Sequence, residues 1–92
     1  KKLDEANKDI VSILVDNKRD TIIDFASRVS NSSVLVTKEQ FNRVFKLYKE
    51  YEDLISKNGL TNGEVDIAYR IIVESYEEHL SNHTFIEDIR GW

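Results

Sequence analysis

The sequence predicts an all-α fold, a small bundle of three to four helices whose long amino-terminal helix is suited to a coiled-coil dimer arm. Three observations carry this. Proline is absent and glycine stands only at positions 59, 63 and 91, so helices can run unbroken. Apolar residues recur at helical rather than alternating spacing. A helix-start signal, Thr followed three residues later by Glu or Gln, appears three times.

The first predicted helix covers residues 3–29. Leu3, Ala6, Ile10 and Ile13 are spaced 3-4-3, and the next seam position is Asn17, a polar residue of the kind that fixes register in dimers. "DNKRD" at 16–20 then interrupts the apolar face, and Ile22, Phe25, Ala26 and Val29 resume it in another phase. The expectation is an arm leaving the globular part, with its second half packed against a compact region at 34–92; the alternative is an ordinary amphipathic helix. "SNSS" at 30–33 is a linker, and "VLV" at 34–36 is expected to lie extended under the bundle.

A second helix is predicted over 38–57. Thr37 is placed to cap it, Gln40 to reach back to the cap, and Val36 to staple against Phe41. Phe41, Val44, Phe45, Tyr48, Tyr51 and Ile55 form its stripe, widened by Leu47 and Leu54. "SKNG" ends it, with Gly59 supplying the left-handed residue that closes the last carbonyls.

The third helix, 62–80, repeats the start device: Thr61 at the cap, Glu64 reciprocal, Leu60 against Val65. The loop "KNGLTNGEV" is thus a joint. No GxxxxGK[ST] pattern or Asp/Asn ladder makes it a phosphate or calcium loop. Val65, Ala68, Tyr69, Ile72, Tyr76 and Leu80 form the stripe, widened by Ile67, Ile71 and Val73. Such width implies burial against more than one neighbour. "HTFIED", with Thr84 and Glu87, starts a short closing helix at 85–90.

Ninety-two residues make one domain. No cysteine is available for a disulfide or a thiolate metal site. The chain begins at Lys1 and lacks methionine, so we read it as part of a longer chain, with any membrane or targeting segment upstream. Residues 1–46 hold nine Lys and Arg against seven Asp and Glu; residues 47–92 hold four against ten. That balance disfavours nucleic acid, whose affinity comes from clustered cations.

No catalytic, cofactor-binding or metal-ligating residue is assigned. His79, His83 and Glu87 are spaced by four, but HExxH is absent and Asn82 and Thr84 suggest a helix end between them. No GxSxG elbow surrounds any serine. "EYED" at 50–53 and "EE" at 77–78 read as solvated helix faces.

"YRIIVESYEEHLSNHTFIEDI" resembles the carboxyl end of small proteins of phages and prophages of Gram-positive bacteria. The shared pattern is spaced tyrosines, a leucine, an Asn-centred turn and a closing helix, here Tyr69, Tyr76, Leu80, Asn82, Phe85 and Ile86. Ser81 stands where those proteins usually carry a double glycine. "KKLDEANKDI" would match the connector that follows their amino-terminal hydrophobic segment. The resemblance implies a non-enzymatic accessory role in host cytoplasm or at the membrane, tethered only through a segment outside these residues.

The function expected is a protein–protein interaction module, self-associating through Leu3, Ala6, Ile10, Ile13 and Asn17 as a homo-oligomer, with a dimer favoured, and presenting an acidic half to a protein partner. The alternative is a helix-turn-helix nucleic-acid binder built from 38–57 and 62–80, although Arg70 is its only cation between 58 and 89. A metal-dependent enzyme would need zinc at His79 and His83.

Overall fold

The computed structural model describes the backbone of residues 2–31 and 34–90, and the side chains of 8–31 and 34–89. Four helices follow in order: α1 (Lys2–Val29), α2 (Lys38–Lys57), α3 (Val65–Asn82) and α4 (Ile86–Arg90). The fold is all-α, with no strand among the described residues.

Side-chain pairs set the directions. Phe25 meets Phe41 while Lys18 reaches Glu50, so α1 and α2 are antiparallel. Phe41 meets Tyr76 while Tyr48 stacks on Tyr69, so α2 and α3 are antiparallel too. α1 and α3 therefore run side by side in the same direction, joined at one end by Arg19 to Thr61 and at the other by Ser75 to Val29. α1 is about 42 Å long at 1.5 Å per residue, and the molecule measures 56 × 23 × 17 Å.

The side of α1 turned to the bundle is Val11, Val15, Lys18, Ile22, Phe25 and Val29, a continuous 4-3-4-3-4 spacing. "DNKRD" therefore does not separate an arm from a packing segment. Lys18 and Arg19 lay their aliphatic stems along the same side and pair with α2, at Glu50 and Tyr51. The compact region from residue 34 onward shares its core with α1, whose Val15, Ile22, Phe25, Ala26 and Val29 help to fill it.

Phe41 sits at the centre. Its ring lies 5.2 Å from Phe25, 5.3 Å from Tyr76 and 5.8 Å from Phe85, each edge-to-face. Small residues, Ala26 and Ala68, are buried between α1 and α3, whereas Phe45, Tyr48, Tyr69 and Tyr76 fill the space between α2 and α3.

The α2 start forms as expected: Gln40 N–H donates to Thr37 Oγ1 at 3.1 Å, and Thr37 N–H donates to Gln40 Oε1 at 2.8 Å. Its end does too. Gly59 has φ +64, its N–H donates to the Ser56 carbonyl at 3.4 Å, and Leu60 N–H donates to Ile55 at 2.9 Å. Val34, Leu35 and Val36 are half-buried, exposed and buried in turn.

The α3 start corrects the expectation. The helix begins at Val65, Glu64 is its cap residue with no side-chain cap bond, and the Thr61–Glu64 box does not form. Such a box needs residue 63 in the right-handed helical region, and Gly63 has φ +69. The loop carbonyls are instead held from outside. Tyr51 Oη donates to Asn62 O at 2.6 Å, and Arg19 Nη2 donates to Thr61 O at 3.3 Å.

The closing helix is anchored differently as well. Thr84 Oγ1 lies 2.7 Å from His79 Nδ1, and Glu87 Oε2 accepts from Lys38 N–H at 3.0 Å, so Glu87 serves the amino end of α2 rather than a box with Thr84. Ile86 N–H donates to Val36 O at 2.9 Å, and Phe85, just before α4, is 0% exposed.

Candidate interaction surface

The bundle leaves two apolar surfaces of different construction. The first lies on α1. Ile10 and Ile13 are 55% and 59% exposed, with Leu14 beside them, about a third of a turn from the buried seam at 3.6 residues per turn. Asn17 is exposed on the same stripe, its backbone carbonyl accepting from Thr21 Oγ1 at 2.9 Å. Three of the five expected interface residues thus share one solvent-facing line. The side chains of Leu3 and Ala6 lie outside the described residues.

The second surface is a groove between the parallel helices α1 and α3. Its walls are Ile23, Ser27 and Ser30 on one side and Glu64, Ile67 and Ile71 on the other, with Ala26 and Ala68 at the base. Ser30 and Ile71 carry it on to Glu74, Ser75 and Glu78. The α3 wall, Glu64-Ile67-Ile71-Glu74-Glu78, is a 3-4-3-4 stripe. Ile67 is 64% exposed. The apolar width of α3 is therefore only partly used within the monomer, since Val65 and Ile72 are sealed while Ile67 faces out.

Between these surfaces sits a clamp that the sequence did not reveal. Arg19 donates from Nε and Nη2 to the hydroxyl of buried Tyr51, at 3.3 and 3.1 Å, and its guanidinium lies 3.4 Å from where a Cβ on Gly63 would stand. α1, α2 and the α2–α3 joint are held at one point. The joint's glycines are thus explained by backbone geometry, φ +64 at Gly59 and φ +69 at Gly63.

Tyr48 and Tyr69 stack with centroids 3.7 Å apart and planes 9° apart. Burial pushes the Tyr48 hydroxyl up to about 12, with the neighbouring Glu52 and Asp66 carboxylates adding to the rise and Asn62 opposing it.

His79, His83 and Glu87 do not converge. α3 ends at Asn82, His83 turns left-handed at φ 55, His79 bonds Thr84, and Glu87 caps α2. Among the described residues no group of three His, Cys, Asp or Glu is placed to hold a metal ion. α2 and α3 pair along their lengths, from Phe41–Tyr76 to Tyr48–Asp66, as an antiparallel helical hairpin. No helix is long and apolar enough to cross a membrane among the described residues.

The chain matches no family model, no curated protein and no solved structure.

Proposed function

We propose that the chain is a non-enzymatic protein–protein interaction and oligomerisation module, part of a phage accessory or membrane-tethered protein. The observation that carries it is the line Ile10, Ile13 and Leu14, which the bundle leaves in solvent although α1 has a complete buried seam of its own. Large aliphatic side chains grouped on one exposed face mark contact surfaces, because each gains about 1.5–3 kcal/mol on burial. A second copy of α1 offers the same line, and two such lines satisfy each other across a two-fold axis. Asn17 extends that line and would set the register of the pair.

The test is sedimentation velocity of the chain across a concentration series, with the double variant Ile10→Glu, Ile13→Glu beside it. Reversible dimerisation lost in the variant supports the reading. A monomer at every concentration, or a dimer indifferent to both substitutions, removes it. Point substitutions are preferable to deleting residues 1–15, because Val15 belongs to the core.

A further inference from the structure

The groove between α1 and α3 is apolar at its base, open along one side, and walled on α3 by glutamates. Glu64, Glu74 and Glu78 line its length, and no Lys or Arg stands among the residues lining these two stretches. Among the described residues the side-chain ion pairs are Lys18–Glu50 and Arg43–Glu39, and neither involves these three glutamates, the nearest basic residues on the same helix being Arg70, one turn before Glu74, and His79. An apolar strip flanked by carboxylates outside those ion pairs selects its occupant by charge: the partner must bring aliphatic side chains at the centre and cations at the edges.

The shape selects a helix. The α3 wall spaces Glu64, Ile67, Ile71, Glu74 and Glu78 by 3-4-3-4, the repeat of a helix-packing seam, and Ile23, Ser27 and Ser30 of α1 face it from the other side. Small residues, Ala26, Ser27, Ser30 and Ala68, let a third backbone come close. From Glu64 to Glu78 the wall runs about 21 Å at 1.5 Å per residue, four turns of helix.

We propose that this groove binds a cationic amphipathic helix of about four turns from another protein, completing a four-helix bundle with Ile67 and Ile71 as apolar anchors. This rests on the reading of the chain as an interaction module and names the second surface of that module. A second copy of this chain is the poorer fit. Its exposed aliphatic line, Ile10 to Leu14, lies on a helix where Asp9, Asp16, Asp20 and Asp24 balance Lys8, Lys18, Arg19 and Arg28, so it brings no net positive edge.

The experiment uses two fluorescent synthetic peptides of about 15 residues, each with leucines at the seam positions. One carries lysines at the flanks, the other glutamates. Anisotropy titrations against the full chain should show salt-sensitive binding of the lysine peptide and none of the glutamate peptide. Ile67→Glu should weaken the lysine peptide about tenfold or more, since one buried isoleucine is worth roughly 1.5–3 kcal/mol. Ser27→Arg, which leaves Ile67 in place and fills the groove, should act alike, and Glu74→Lys with Glu78→Lys should abolish the salt dependence. Ile10→Glu with Ile13→Glu should leave peptide binding intact, which separates this surface from the self-association line.

Equal binding by the wild type and both groove variants would overturn the proposal, as would backbone amide shifts that cluster outside residues 23–30 and 64–78. A concentration-dependent dimer abolished by Ile67→Glu alone would overturn it too, because the groove would then belong to a second copy.

Discussion

The Arg19 guanidinium is bonded to the Tyr51 hydroxyl through both Nε and Nη2, across 32 positions of sequence, and the same hydroxyl donates onward to Asn62 O. One phenol oxygen therefore ties α1, α2 and the joint before α3.

Tyr51→Phe keeps the ring and removes only that oxygen. It should cost about 1–3 kcal/mol in urea unfolding, because the Asn62 carbonyl and the Arg19 donors lose their partner together. Arg19→Met should cost a similar amount. The double variant should cost clearly less than the two single costs added, since both act through one network. Full additivity would show that the bonds do not couple.

The two joint glycines should tolerate alanine about equally. Both sit at left-handed φ, which costs a residue with a Cβ about 1–2 kcal/mol. At Gly59 the new methyl meets nothing within 4 Å, and at Gly63 it meets Arg19 Cζ at 3.4 Å, an ordinary van der Waals contact. Each substitution should therefore lose only the backbone term, about 1–2 kcal/mol. Thermal melts of the parent and the two variants check this.

Phe85 lies outside any long helix, yet Phe85→Ala should cost about 3–5 kcal/mol, the range for emptying a sealed aromatic site. The ring is in contact with Phe41 and Tyr76 and tucked under Lys38. A loss below about 1 kcal/mol would place the α3–α4 turn outside the cooperative unit.

Alkaline titration followed by tyrosine absorbance should resolve one late group. Tyr48, at about 12, ionises above the usual tyrosine value of 10.0 because burial penalises the phenolate. Its folded pKa exceeds the unfolded one, so its contribution to stability is complete below pH 10 and is lost as pH rises toward 12. Tyr48→Phe should remove the late group and flatten that loss.

What could be read from the sequence was what is local. The Thr37–Gln40 box and the Gly59 ending need only residues within one turn of each other, and both form. The Thr61–Glu64 box has the same letters but fails, because Gly63 takes a left-handed conformation that Arg19 and Tyr51 reinforce from other helices. Periodicity showed that α3 is apolar over a wide arc. It does not say which part of that arc the monomer seals, so Ile72 and Leu80, members of one stripe in the sequence, are 0% and 46% exposed. Phe85 and Glu87 were hidden for a similar reason, since both act on α2 about forty or more positions away.

In the proposed dimer the exposed aliphatic line of α1 is covered by a second copy of itself. The most direct measurement is an isotope-filtered nuclear Overhauser experiment on a mixture of labelled and unlabelled chains. Intermolecular contacts are expected from the methyls of Ile13 to those of Ile10, Ile13 or Leu14 of the other copy. Intermolecular contacts confined to Ile67 and Ile71, or none in a sample concentrated enough to associate, would contradict it.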